Sequence, residues 1–255
     1  MKSYGDQDED AATHRSHLEQ MVAYYAGTAS SYNAWHCDPQ DNSPHNSAVR
    51  ETMALVKKLG ARSLLDVCCG TGRAVKAALD AGINARGIDI SRELLDVGVR
   101  QMGIPAARLD HGDATSLPYA DRAFDVACIF GALHHSARPR AVVGEVLRVA
   151  RLGVVMSDEG NHLSGGIKAI LRQLGVFEPV YRAIFRRAPR ERRRQSVSET
   201  DGPTFLFSIE EVIPLVRARF PHFKCLAFYR AGKWQVCSYR LPRLFARYGV
   251  VSAWE

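Results

Sequence analysis

Leu64-Leu65-Asp66-Val67-Cys68-Cys69-Gly70-Thr71-Gly72-Arg73 is an apolar run that ends in an acid and breaks into a glycine-bearing turn. Ala74 to Leu79 follows in a helix-compatible pattern, so the stretch reads as strand, tight loop and helix, the βα corner at which nucleotide-like ligands bind. Glycines let a ligand approach the backbone closely, and the first turn of a helix presents unpaired N–H groups. A second run, Ala85-Arg86-Gly87-Ile88-Asp89-Ile90, again ends in an acid. It falls about 20 residues on, the spacing at which the next parallel strand sets a carboxylate beside a ribose.

The loop itself discriminates between ligands. A dinucleotide loop carries three glycines spaced G-x-G-x-x-G, whereas Val75 stands where the third would be. Asp66 adds a negative charge that repels a pyrophosphate and suits a ligand bearing an ammonium and a sulfonium. The ligand of that description is S-adenosylmethionine.

At this point the chain resembles the class I S-adenosylmethionine-dependent methyltransferases, in the small-molecule group related to the ubiquinone and menaquinone methyltransferases. The similarity runs from about Ala61 to Ser157 and rests on four blocks. These are Leu65 to Gly72, Gly87-Ile88-Asp89-Ile90-Ser91, Gly112-Asp113-Ala114-Thr115-Ser116-Leu117-Pro118, and Phe124-Asp125-Val126-Ala127 running on to Leu133-His134-His135. Cys68 departs from the family by standing where a glycine is usual, and Arg151-Leu152-Gly153 replaces a Lys-Pro-Gly-Gly-like turn. The resemblance implies that Cys68, Gly70 and Gly72 line the methionine part of the cofactor, with Asp66 near its amino group. It implies Asp89 and Ile90 at the ribose, Asp113 and Ala114 at the adenine, and Phe130, Gly131 and Leu133 bordering the sulfonium.

Strands alternating with helices from Leu64 through Ser157 argue a parallel sheet. The expected fold is α/β, a Rossmann-like doubly wound sheet of seven strands, mostly parallel, closed by a C-terminal antiparallel hairpin. Residues 1–48 read as a charged tail and a helical lid, with Leu18, Met21, Val22 and Tyr25 at helical spacing. Residues 49–160 form the cofactor-binding core. Residues 161–204 read as an inserted basic helical cover, with apolar stripes through Ile167 to Leu174 and Phe177 to Phe185. Residues 205–255 supply a helix and the hairpin, Cys225 to Arg230 and Gln235 to Leu241. Ser208 and Glu211 form a capping-box pattern before Val212 to Phe220, which Pro214 is expected to kink.

A chain of 255 residues with 46% hydrophobic content can bury one substantial core. No apolar run reaches the ~18 residues of a membrane span, and the polar start Met1 to Asp10 lacks a secretion signal's hydrophobic stretch. The expected compartment is the cytoplasm, with peripheral membrane placement as the variant. The six cysteines form no C-x-x-C pair, so free thiols are expected and no metal site is assigned.

The dense basic run Arg182, Arg186, Arg187, Arg190, Arg192, Arg193 and Arg194 reads either as a solvated face or as a contact for an anionic partner. A phosphate-bearing or lipid-linked substrate, a membrane surface and a nucleic acid remain the possible partners. The net charge of +7 would suit a nucleic acid. Enzymes that methylate base amines, however, carry an Asn/Asp-Pro-Pro-aromatic loop where this chain has Phe130-Gly131-Ala132-Leu133.

The sequence thus points to methyl transfer onto a small molecule, first of all a hydroxyl oxygen on a sugar, polyketide-like or quinone-like scaffold. A hydroxyl acceptor must lose its proton as the new bond forms, so a base titrating near neutrality helps. His134 and His135 are the candidates, with His134 facing the reaction centre and His135 orienting the loop or capping the next helix. Tyr24, Tyr32 and His36 in the lid are candidate substrate contacts. The alternatives are an RNA or ribose methyltransferase and a non-catalytic partner that keeps the cofactor pocket.

Overall fold

The computed structural model describes residues 11–36, 43–159, 195–198, 202–205, 207–231, 233–237 and 248–255. Five parallel strands form the first half of the sheet: β1 (Ser63–Val67), β2 (Asn84–Asp89), β3 (Leu109–His111), β4 (Phe124–Phe130) and β5 (Ala150–Glu159). They lie in the order β3-β2-β1-β4-β5, so the chain reverses direction across the sheet between β1 and β4. Crevices for ligands open beyond the carboxyl ends of strands at such a reversal.

Adjacent residues on each central strand point to opposite faces, and each face has its own helices. Leu64, Val126 and Val155 pack with α2 (Pro44–Leu59) and α3 (Arg73–Asp80) through Leu55, Val56, Val75 and Ala78. Leu65, Ala127 and Val154 pack on the other side with α5 (Pro139–Val149), through Val142, Val143 and Val146. Leu64 and Leu65 are both fully buried. Truncating either to alanine is expected to cost about 2–5 kcal/mol. The remaining core helix, α4 (Arg92–Met102), starts at Ser91, whose hydroxyl accepts the Leu94 amide at 3.2 Å, and stops at Gly103 in the left-handed region. Its Leu94 and Val97 pack on Ala29 of the long N-terminal helix α1 (Ala11–His36).

A short antiparallel ribbon, β6 (Gln195–Ser198) and β7 (Gly202–Phe205), lies outside the main sheet. It belongs to the stretch read as a helical cover. Both expected helical stripes of that cover, and Arg182 to Arg194, lie outside the described residues. The expected hairpin is present as β8 (His222–Ala231) and β9 (Lys233–Cys237). The strand that joins it to β5, however, is β10 (Tyr248–Trp254), antiparallel to both β5 and β8. The seven-stranded core is therefore β3-β2-β1-β4-β5-β10-β8, and β9 adds an eighth strand at its edge. Val250 and Val251 are adjacent and both buried, one on each face of the sheet, so β10 carries no alternation that marks it in the sequence.

Pro214 does not kink a helix. A single 3₁₀ turn over Ile209–Glu211 precedes α6 (Ile213–Arg219), and Pro214 sits in the first turn of α6, where its missing N–H costs nothing. The Glu211 half of the capping box forms, with the Ser208 amide donating to Glu211 Oε1 at 3.2 Å.

Candidate functional site

The turn after β1 is held by backbone bonds from the Cys69 amide to the Ile88 carbonyl (3.1 Å) and from the Gly72 amide to the Cys69 carbonyl (2.8 Å). Cys68, Gly70 and Gly72 all adopt positive φ, at 55°, 55° and 82°. Glycine visits that region freely and cysteine does not, so Cys68 holds strain where a glycine would relax it. The turn aims the Gly70 amide at Asp89 Oδ2 (2.8 Å), while the Ser91 amide donates to Asp89 Oδ1 (2.9 Å). Burial raises the Asp89 carboxyl above its ordinary range, and these amide bonds pull against that rise. The carboxylate is thus fixed in place while its remaining lone pairs can accept from hydroxyls.

Asp89 stands on the wall of a cavity of about 810 Å³, counting its open mouth. The strand ends supply Cys68, Gly70, Asp89, Ile90 and Phe130, and α1 crosses the opposite side with His14, His17, Leu18, Met21, Tyr25 and Tyr32. Asp113, in the loop after β3, lines the same space with Ala114. It accepts from the Thr115 amide (2.8 Å), the Thr115 hydroxyl (2.8 Å) and His14 Nε2 (2.9 Å). Half-burial works to raise its pKa, but those three bonds outweigh it and hold the carboxyl below its ordinary value.

Of the residues expected at the cofactor, Cys68, Gly70, Asp89, Ile90, Asp113, Ala114, Phe130 and Gly131 line this cavity, and Asp66, Gly72 and Leu133 do not. A side chain on Gly72 would meet Ile104 Cδ1 at 2.6 Å, so that glycine serves the packing beneath the loop. Leu133 is fully buried in the core. Asp66 lies behind the loop, where Cys128 Sγ–H donates to its Oδ1 at 3.5 Å and burial pushes its carboxyl up to about 7.

The two histidines separate. His134 turns inward and is 6% exposed. Its Nδ1 donates to Asp158 Oδ1 at 2.7 Å, and the other Asp158 oxygen accepts the Leu133 amide at 2.7 Å. The expectation that His134 faces the reaction centre is corrected on this point: it braces the turn after β4 against the end of β5. Asp158 is the buried anchor of that brace. His135 lines the cavity instead. Its Nδ1 donates to the Pro203 carbonyl of β7 at 2.8 Å, leaving Nε2 as the acceptor nitrogen, 3.4 Å from the Tyr25 hydroxyl.

Of the candidate substrate contacts, Tyr32 lines the cavity, whereas Tyr24 packs against Gly202 of the ribbon. The side chain of His36 lies outside the described residues. His14, His17 and Tyr25 also line the cavity, and no motif in the sequence marks them. Their signal was spacing: positions 14, 17, 18, 21 and 25 recur on one helical face, so two histidines extend an otherwise apolar stripe.

The lining can take up hydrogen-bond donors at Asp89, Asp113 and the histidines, and it includes no Lys or Arg among the described residues. That chemistry fits a nucleoside carrying positive charge and disfavours a pyrophosphate. No group of three or more His, Cys, Asp or Glu arranged to hold a metal occurs among the described residues. No helix among them is long and apolar enough to cross a membrane.

Residues 65–156 match the family model of the methyltransferase domain. The chain is 37% identical over 100 residues to a demethylmenaquinone methyltransferase of Paenarthrobacter aurescens, an alignment covering 39% of this chain and 38% of that protein. The chain thus spans less than half the length of that relative. Among solved structures it resembles a possible histamine N-methyltransferase from Thermotoga maritima, with a TM-score of 0.58 and 17% identity over 92% of this chain and 99% of the other. It also resembles the magnesium protoporphyrin IX methyltransferase of Synechocystis PCC 6803 with bound S-adenosylhomocysteine, at a TM-score of 0.55 and 14% identity over 93% and 99% of the two chains. At such identities these two structures speak for the fold.

Proposed function

We propose that the chain, whose residues 65–156 match the family model of the methyltransferase domain, transfers a methyl group from S-adenosylmethionine to a small-molecule acceptor. The observation that carries this reading is the Asp89 carboxylate, pinned by the Gly70 and Ser91 amides on the wall of a cavity whose described lining includes no Lys or Arg. S-adenosylmethionine supplies a methyl group already activated on a sulfonium, so the protein's work is alignment and exclusion of water.

In this reading Asp89 receives the ribose hydroxyls, and Asp113 receives the adenine amino group with Ala114 beside the ring. Cys68 and Gly70 border the methionine part, and Phe130 and Gly131 stand near the sulfonium. Asp66 lies behind the loop, where burial pushes its carboxyl up to about 7, so it supplies only part of a negative charge near neutral pH. Helix α1 roofs the cavity and keeps water out.

The base in this reading is His135. The Pro203 carbonyl can only accept, so it holds the proton on His135 Nδ1 and makes Nε2, which the Tyr25 hydroxyl meets at 3.4 Å, the accepting nitrogen that an acceptor hydroxyl would take over from Tyr25. His134 and Asp158 position that residue by bracing the turn. The acceptor is first of all a hydroxyl on a quinone-like, polyketide-like or sugar scaffold. The demethylmenaquinone methyltransferase relatives favour the quinone-like ring and add a second reading, transfer to a ring carbon. Loss of a ring hydroxyl proton activates the oxygen and the neighbouring carbon alike, so one base serves both. Arg182 to Arg194 would suit an anionic or lipid-linked tail on the acceptor.

The test is transfer of a labelled methyl group from S-adenosylmethionine across a panel of hydroquinones, phenols and sugars. The reading expects labelled product and S-adenosylhomocysteine in equal amounts with at least one of them. Tight S-adenosylhomocysteine binding with no transfer to any panel member would favour the non-catalytic reading.

A further inference from the structure

His17, on α1, has one nitrogen engaged and one left over. Its Nε2 is 2.7 Å from the His135 backbone carbonyl. A carbonyl only accepts, so Nε2 carries the hydrogen and the neutral ring keeps its lone pair on Nδ1. Nδ1 is buried and has no hydrogen-bond partner among the described residues. The residue is 5% exposed, its ring meets Phe205 of β7 edge-on at 4.8 Å, and it lines the cavity that His135 also lines. A buried acceptor without a donor is destabilising, so its presence in a native protein calls for an explanation, a functional partner among them.

We propose that His17 recognises the methyl acceptor, its Nδ1 taking a hydrogen bond from a hydroxyl or amine N–H on an otherwise apolar, uncharged molecule. This rests on the reading of the cavity as a methyltransferase site. The apolar character follows from the residues that line the cavity with His17: Leu18 and Met21 on the same helix, and Ala132 and Val142 from other elements. With no Lys or Arg in the described lining, a carboxylate or phosphate at this spot would enter without a counter-charge. The bond to the His135 carbonyl joins this recognition to the proposed base. The helix that covers the cavity therefore also selects what lies beneath it, and it does so one residue from the Leu18 to Tyr25 stripe that packs it.

The test uses 1-naphthol and 1-methoxynaphthalene, which share an apolar body and differ in a single donor. Both are titrated calorimetrically into the wild-type protein, with and without S-adenosylhomocysteine, and into two variants. His17→Gln can keep an amide donor to the His135 carbonyl while removing the ring acceptor, and His17→Phe keeps the ring against Phe205 while removing both nitrogens. The wild type is expected to prefer naphthol by about tenfold. Both variants are expected to lose most of that preference while S-adenosylhomocysteine affinity stays unchanged. A preference that survives in both variants overturns the proposal, as does a wild type that shows none or binds neither probe at millimolar concentration. Failure of S-adenosylhomocysteine to bind the wild type would instead strike the methyltransferase reading, and the naphthol comparison in cofactor-free protein would still decide the role of His17.

Discussion

His135 donates from Nδ1 to the carbonyl oxygen of Pro203, 2.8 Å away and 68 residues later in the chain. One end of this bond lies in the turn after β4 and the other in a ribbon outside the main sheet. The tautomer of the proposed base is therefore selected by tertiary structure. His135→Ala is expected to slow methyl transfer by at least about a hundredfold, the lower range for a lost general base. S-adenosylhomocysteine affinity should change less than threefold by calorimetry. Equal losses in both would make His135 a structural residue.

Asp89 holds two backbone amides and faces the cavity. Asp89→Ala is expected to weaken S-adenosylhomocysteine binding at least tenfold, about 1.4 kcal/mol, through the lost ribose contacts and the loosened Gly70 amide. Unchanged affinity by titration would remove Asp89 from the cofactor site.

Asp66 gives a pH signature. Its carboxyl titrates at about 7 in the folded protein because it is buried, against about 3.9 in an unfolded chain. The folded state keeps this proton over a range where the unfolded state has lost it. The group's contribution to stability is therefore fully present below about pH 4 and is lost as pH rises through about 7. Asp66→Asn, of nearly the same shape and uncharged throughout, should gain stability relative to the wild type between pH 5 and pH 8. Denaturant unfolding at those two pH values checks this, and a stability difference that does not change with pH would contradict it.

Cys68 sits at φ 55°, a conformation that costs a residue with a side chain about 1–2 kcal/mol. Cys68→Gly is expected to stabilise the fold by about 1 kcal/mol or less, since glycine's extra unfolded-state entropy takes back part of the gain. Thermal unfolding measures it. A loss of more than about 1 kcal/mol would mean that the thiol's packing outweighs the strain.

The parallel half of the sheet was legible because each strand ends in a marked turn: Asp66 before the glycine loop, Asp89 before Ser91, and Asp113 after β3. Glycine spacing and strand-end acids are local signals, and local signals survive in a single sequence. Which of His134 and His135 faces the cavity was not legible. The choice is made by Asp158 and Pro203, partners 24 and 68 residues away that capture one ring each. Gly72 was ambiguous for a related reason, since its positive φ looks the same whether the space beside it holds a ligand or Ile104. The place of β10 was hidden because both of its faces are buried. The roles of His14 and His17 lay in helical spacing alone, which marks a packed face without saying what lies beneath it.

The most direct test of the account is calorimetric titration of the purified protein with S-adenosylhomocysteine, with a nicotinamide dinucleotide as control. Saturable one-to-one binding of the first and none of the second is the predicted result, since Asp89 and Asp113 face the ligand with no cationic side chain in the described lining to receive a pyrophosphate. Binding of the dinucleotide, or of neither, would contradict the assignment of this cavity to S-adenosylmethionine.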